Sequence, residues 1–592
     1  MTEQSKHLAI TITQIHSTED NIKNSSNVTS SDSNTANCTK AFSPLTLQGT
    51  PPVLAPTLIS TETALNSNTD VGSYVGSYVD NDGVVEKGAS PKIVLATLNA
   101  RYFHTSFGLR YLYANLKELQ PLCEIQEFII QTRAIDIVEQ ILASKPTIVG
   151  FGVYIWNIVE TTDVVSLLKV IAPEVKVILG GPEVSYETED QLIVKYSDYV
   201  LTGPADISFY ELCKNILNNK LPDKKVLKSQ PVGLENIALP YEYYTDEDLT
   251  HRLLYVEASR GCPFKCEFCL SSLDKTSTPF ELTTFLEQMD ILYKRGARNF
   301  KFIDRTFNLN IKTTMQIMQF FLDRMTDDLY LHFEVVPDHL PRKLKELLTQ
   351  FPQGSLQFEI GIQTFNVEVQ KNISRKQNNA KSKENLLWLR DHTLAHIHAD
   401  LIFGLPGETF ETFKDSFNQL YHCRPHEIQM GILKRLKGSP IIRHTEAFDL
   451  RFNPLPPFNI LSTDRVSFAT MQRINRFARY WDMIGNSERF KYALPHILSD
   501  EPFDDFMAIT EWIFNKTGQI HKINLKKLFE LISQSVEALY PEKHKGVIDK
   551  IEQDYKAAKL KSLFSSLNLY AVTHVEQAVK NKSLQRQQRH LS

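Results

Sequence analysis

The chain has 592 residues, 42% of them hydrophobic and 23% charged, with a formal net charge of -4. That length exceeds what one hydrophobic core supports and implies roughly three to four domains. The slightly acidic balance argues against a nucleic-acid binder. No apolar run is long enough for a membrane span, and seven cysteines in so long a chain exclude a disulfide scaffold and point to a reducing, cytoplasmic setting.

Residues 1–90 are rich in Ser, Thr and Asn and poor in large apolar side chains. Such a stretch cannot bury enough surface to offset its ordering entropy and is expected to be disordered. The tandem repeat Val71-Gly-Ser-Tyr-Val75-Gly-Ser-Tyr-Val79 carries no functional implication.

Order is expected from Pro91. Five apolar runs (Ile93–Leu98, Ile125–Ile130, Ile148–Val153, Val175–Leu179 and Tyr199–Leu201) alternate with amphipathic segments. That pattern predicts a doubly wound, five-stranded parallel sheet over residues 91–220, covered on both faces. Glycines close its strands at Gly150, Gly152, Gly180-Gly181 and Gly203. In open α/β sheets a ligand lies beyond the carboxyl ends of the strands, where bare backbone can approach it. Residues 221–249, with Pro222, Pro231 and Pro240, read as a linker.

A second α/β unit follows over 250–445. Its strands are expected at Leu253–Glu257, Asn299–Asp304, Leu331–Val336, Leu356–Gly361, Ile397–Phe403 and Glu427–Ile432. Six strand–helix repeats suit a partial (β/α)6 TIM-type barrel, with its site at the strand C-termini. The loop after the first strand reads Ser259-Arg-Gly-Cys262-Pro-Phe-Lys-Cys266-Glu-Phe-Cys269. A cubane iron–sulfur cluster normally takes four protein thiolates, so three leave one iron open for chemistry. A structural zinc site would need a fourth ligand, and His251 and Asp274 are poorly spaced for it. Cys38, Cys123, Cys213 and Cys423 are scattered and read as buried or idle thiols. From 446 to 592 the pattern is helical, with segments at Ser462–Trp481, Phe503–Lys516, Lys526–Leu539 and Lys545–Ser565, Thr463 or Asp464 as a cap for the first, and a basic, frayed tail from Lys580. Arg473, Arg476 and Arg479 share one helix face.

The cysteine loop, with Phe268 before its last cysteine, closely resembles that of the radical S-adenosylmethionine (SAM) superfamily. Residues 91–445 resemble its members that carry an N-terminal cobalamin-binding domain, and the helical region resembles a C-terminal domain of an uncharacterised branch. The resemblance implies a [4Fe–4S] cluster on Cys262, Cys266 and Cys269, SAM on the open iron, and reductive cleavage of SAM to a 5′-deoxyadenosyl radical. It also implies an external electron donor such as flavodoxin or ferredoxin. Phe302-Ile-Asp304-Arg-Thr-Phe-Asn308, Glu359-Ile-Gly361-Ile-Gln363 and Asp400-Leu-Ile-Phe-Gly404-Leu-Pro-Gly-Glu408-Thr409 match strand ends of that group. By that match, Asp304 and Asp400 face the chemistry, Glu359 and Gln363 take the SAM ribose, Arg375 takes its carboxylate, and Phe268, Gly404 and Glu408 complete the cofactor site.

Gly180 and Gly181 match the glycine pair beside the nucleotide tail of cobalamin, which the resemblance implies as a second cofactor. The Asp-x-His-x-x-Gly motif that ligates cobalt is replaced by Asn99-Ala-Arg-Tyr-Phe-His104-Thr-Ser-Phe-Gly108, so His104 reads as a loop or substrate-facing histidine. The acidic Gly-Glu-Gly-Glu turn becomes Gly203-Pro-Ala-Asp206, and the Gly-Gly-Glu run of the SAM amine site gives way to Arg305-Thr306. The expected activity is radical modification, such as cobalamin-dependent methyl transfer, of a small or lipid-like substrate. RNA methylthiolation would need three further clustered cysteines and a basic appendage. A cobalamin- or redox-sensing protein would not need Glu359, Gln363 and the Asp400–Glu408 loop.

Overall fold

The computed structural model describes residues 92–559, together with a two-residue strand pair, Tyr78–Val79 against Val85–Glu86. The expected disorder of 1–90, Cys38 and the basic tail from Lys580 lie outside the described residues.

The first domain is a parallel sheet of β1 (Ile93–Asn99), β2 (Cys123–Ile129), β3 (Ile148–Gly152), β4 (Lys176–Gly180), β5 (Tyr199–Thr202) and β6 (Val226–Lys228), ordered β2-β1-β3-β4-β5-β6. It has one strand more than the five expected. β6 is a short edge strand inside the proline-containing segment 221–249, and half-exposed Val-Leu-Lys carries no burial signal. Strand periodicity divides the core. Val94, Ala96 and Leu98 face Ile137, Ile141 and Val165 on one side, while Ile93 and Leu95 face Leu109, Phe209 and Leu212 on the other. The chain order reverses direction between β1 and β3, so their carboxyl ends form the switch-point crevice where ligands bind.

The second sheet is also wholly parallel: β7 (Leu254–Val256), β8 (Asn299–Phe302), β9 (Tyr330–Val335), β10 (Leu356–Gln363), β11 (His396–Phe403) and β12 (Glu427–Ile432), in that linear order. It is an open six-stranded barrel with helices outside. An isolated bridge between His104 and Leu253 links the first domain to the entry of β7. Tyr241 and Tyr244, from the segment read as a linker, are buried in the barrel core.

The C-terminal helices Phe468–Met483, Pro502–Thr517, Leu525–Leu539 and Pro541–Ala557 share one continuous core with the barrel. Phe417 of the barrel helix Phe410–His422 meets Phe477, Trp481 and Phe503 edge to face. The first of these helices starts six residues later than expected. Thr463 Oγ1 accepts the Arg465 and Val466 amides in a local turn, and Ser467 caps the helix through the Thr470 amide. Arg473 pairs with Glu511 at 2.5 Å and Arg476 lies over the Phe514 ring, so both address the neighbouring helix. Among the described residues no helix is long and apolar enough to cross a membrane.

Candidate functional site

Two cavities open at the carboxyl ends of the two sheets. The smaller, about 280 Å³, is lined by all three loop cysteines with Phe268, Arg305, Glu334, Glu359, Gln363, Arg375 and Asp400. The loop is shaped by Gly261, whose φ of +93° and close approach to the Thr276 carbonyl leave no room for a Cβ. The Cys262 amide then bonds to Asp274 O at 3.0 Å and the Cys269 amide to Cys266 O at 3.1 Å. Between the cysteines, the buried Glu267 carboxylate accepts from Ser374, Arg443 and His444 (2.7 Å to His444 Nε2). This staples the loop to the segment leaving the barrel. Among the described residues no three ligating side chains are grouped to hold a single metal ion.

The inner faces of β9, β10 and β11 carry polar or ionisable side chains at alternate positions: His332 and Glu334, Gln357 and Glu359, His398 and Asp400. Period-two alternation puts these on one face, and the ladder sets Glu334 beside Glu359 and Glu359 beside His398. Lys301 Nζ and His332 Nε2 both lie 2.9 Å from Glu359 Oε1. Burial pushes the Glu359 carboxyl up, but His332, Lys301 and His398 outweigh it and hold the group well below the usual range. Asp400 Oδ1 sits 3.4 Å from His398 Nε2. Gln363 occupies the left-handed region at φ +68°, beside a register shift in the ladder, and its buried Oε1 has no protein partner. An orphaned acceptor in a strained residue on a cavity wall is suited to a ligand donor. Arg375 brings Nη1 to 3.5 Å from Cys266 Sγ and donates from Nη2 to Gly361 O. Burial pushes the Cys266 thiol up and Arg375 pulls it back.

Three expected site residues lie off this wall. Asp304 is 3% exposed and lines neither cavity. Its carboxylate turns toward β7, accepting from Ala258 N at 2.9 Å and Ser259 Oγ at 2.6 Å, because the loop's first residues leave those donors otherwise unpaired. Burial raises it to about 7. Glu408 is fully buried, and its Oε2 accepts the Gly404 amide at 3.0 Å. Gly404 itself, at φ +89°, packs against Ile460 and Met471. These two organise the exit of β11. Sequence reasoning passed over Lys301, His332, Glu334 and His398, although the alternation His332-x-Glu334 and His398-x-Asp400 was the signal available.

The larger cavity, about 720 Å³, is lined by the carboxyl edge of the first sheet and by the barrel residues Tyr255, Glu257, Arg260 and Ile303. Gly180 and Gly181 are among its walls. A Cβ at Gly180 would meet nothing within 4 Å, whereas Gly181, at φ +113°, presses its backbone against the Val153 carbonyl. His104 also lines it, with Nδ1 2.6 Å from the Tyr255 hydroxyl. Residues two apart serve different cavities: Arg260 and Ile303 the larger, Cys262 and Arg305 the smaller.

Residues 256–420 match the radical SAM superfamily, residues 93–213 the B12 binding domain, and residues 446–591 a protein family of unknown function, DUF4080. An uncharacterized methyltransferase, PH0819, of Pyrococcus horikoshii is 28% identical over 36% of this chain and 50% of its own. The cobalamin-dependent radical SAM methyltransferase TokK of Streptomyces tokunonensis is 22% identical over 49% of this chain and 47% of its own. The chain thus spans about half the length of these two curated relatives. The fold matches that of the radical SAM methyltransferase TsrM from Kitasatospora setae, solved with cobalamin and a [4Fe-4S] cluster (TM-score 0.52, 16% identity, 79% of this chain and 100% of that one). It also matches OxsB, a cobalamin-dependent SAM radical enzyme solved with aqua-cobalamin and SAM (TM-score 0.55, 13% identity, 80% and 82%).

Proposed function

We propose that this chain, which joins a radical SAM domain to a B12-binding domain and a C-terminal DUF4080 domain, is a cobalamin-dependent radical SAM enzyme whose reaction is methyl transfer to a small-molecule or lipid-like substrate. The observation that carries this reading is the pair of cavities sharing the ends of β7 and β8, three thiols on one side and bare glycine backbone on the other.

The residues fit the groups this function requires. Cys262, Cys266 and Cys269 provide three thiolates for a [4Fe–4S] cluster, leaving one iron for SAM. The orphaned Gln363 Oε1 and the carboxylate of Glu359 suit ribose hydroxyls, and Arg375 suits the methionine carboxylate. Phe268, between Cys266 and Cys269 in the loop, lines that cavity. The glycine-edged, largely apolar cavity suits the tail of cobalamin, with Gly180 leaving space where a side chain would protrude. Together the cofactors supply one-electron cleavage of a carbon–sulfur bond and a transferable methyl group.

The chain's own groups do the rest. Asp400, with Oδ1 3.4 Å from His398 Nε2 and facing the smaller cavity, is placed to serve as a base toward the substrate. Glu359, kept ionised by Lys301 and His332, fixes the charge of that wall. Asp304 holds Ala258 and Ser259, and Glu408 with Gly404 holds the fifth strand's exit, so these act by positioning. The electron comes from outside, from a carrier of the flavodoxin or ferredoxin type. The six described cysteines are free thiols, which suits the cytoplasm. The test is anaerobic purification and reconstitution with iron, sulfide and hydroxocobalamin. Cobalt and about four irons per chain, with deoxyadenosine formed from SAM by the wild type and not by Cys266→Ala, are the expected result. Deoxyadenosine formation unaffected by Cys266→Ala would overturn it.

A further inference from the structure

The turn Gly203-Pro-Ala-Asp206 departs from the acidic turn of related domains and forms part of the wall of the larger cavity. Its Asp206, 8% exposed, points at Arg260, two residues before Cys262. Arg260 Nη1 and Nη2 lie 3.1 Å from Asp206 Oδ2 and Oδ1, and Nε lies 2.8 Å from Glu257 Oε1. The guanidinium also sits 4.5 Å above the Tyr111 ring and 5.6 Å from that of Phe280. The planar fork is used by two carboxylates, with two neighbouring aromatic rings beside the guanidinium, a geometry that lysine cannot reproduce.

We infer that Arg260 is a positioning residue that couples occupancy of the larger cavity to the arrangement of the cysteine loop. Tyr111, Asp206, Glu257 and Arg260 all line the larger cavity, while Cys262 lines the smaller. Between Arg260 and Cys262 stands Gly261, held in a turn too tight for a Cβ, and the Cys262 amide is tied to Asp274 O. A displacement at Arg260 is therefore passed to the first cysteine rather than absorbed in a slack loop. A ligand filling the larger cavity touches the Asp206–Arg260 pair and favours whichever loop arrangement that pair prefers. Reciprocity then requires that a filled cysteine site change affinity in the larger cavity by the same factor.

The inference rests on the cofactors proposed above, and the experiment separates the two. Hydroxocobalamin affinity is measured by absorbance titration of full-length protein with and without its reconstituted cluster. It is measured in wild type, in Arg260→Lys and, as a milder second variant, in Asp206→Asn. In wild type the cluster should tighten hydroxocobalamin binding by roughly tenfold, within the usual range of coupling between sites. In both variants hydroxocobalamin and iron should still bind, with that ratio reduced to near one. A ratio near one in wild type, or a ratio unchanged in both variants, overturns the coupling and leaves the function standing. Failure of wild type to bind hydroxocobalamin overturns the function, and the coupling with it.

Discussion

Arg375 Nη1 stands 3.5 Å from the sulfur of Cys266 while its Nη2 donates to the Gly361 carbonyl. One guanidinium therefore joins the middle cysteine to the strand end that carries Gln363. A hydrogen bond to a charged group contributes about 1.5–3 kcal/mol. Arg375→Ala should weaken SAM binding to reconstituted protein by roughly tenfold to a hundredfold, and Arg375→Lys, which keeps the charge but loses the fork, by less. Equilibrium dialysis with labelled SAM measures both.

Gly180 and Gly181 are adjacent but answer to different constraints. A Cβ at Gly180 meets open space in the larger cavity, so Gly180→Val should lower hydroxocobalamin affinity by about tenfold or more with little change in thermal midpoint. At Gly181 a Cβ would lie 2.4 Å from the Val153 carbonyl on a backbone of φ +113°. Gly181→Ala should destabilise the fold by about 1–3 kcal/mol even without cobalamin. Calorimetry and absorbance titration together distinguish a cavity filled from a backbone strained.

Asp304 gives a pH dependence with a definite sign. Burial raises its carboxyl from 3.8 to about 7, against the opposing Ser259 and Ala258 hydrogen bonds. The native state thus holds this proton more tightly than the unfolded chain. Stability contributed by the group is present below about pH 4 and declines as pH rises toward 7, by a few kcal/mol at most. Asp304→Asn should flatten that decline in urea midpoints measured from pH 4.5 to 7.5. Asp554, raised by burial to about 6, leaves a smaller slope of the same sign.

The barrel and the C-terminal helices have one core, in which Phe503 is fully buried against Phe410, Phe413, Phe417 and Phe477. Phe503→Ala should cost about 3–5 kcal/mol. A chain ending at residue 445 should not keep a folded barrel, as judged by loss of cooperative unfolding.

The parallel sheets could be read from the sequence because strands buried on both faces leave continuous apolar runs, and the cysteine loop because its spacing has few competing uses. Glu427–Ile432 is a strand from end to end as expected. β6 was hidden because an exposed edge needs no apolar signature. Asp304 misled because an acid just past an apolar strand suggests a ligand, and only the turn of the chain reveals the Ala258 and Ser259 donors it serves. The first C-terminal helix was extended too far because Thr463 and Ser467 are both good caps, and the choice between them rests on the turn Thr463 closes with Val466. Arg260 and Asp206, 54 residues apart, could be joined only once both sheets were assembled.

Arg260 and Cys262, like Ile303 and Arg305, lie two residues apart and on opposite sides of the partition between the cavities. The thickness of that partition is therefore fixed by a length of backbone and not by the docking of whole domains. Breathing of the domain interface would change access to either chamber far more than the spacing between their contents.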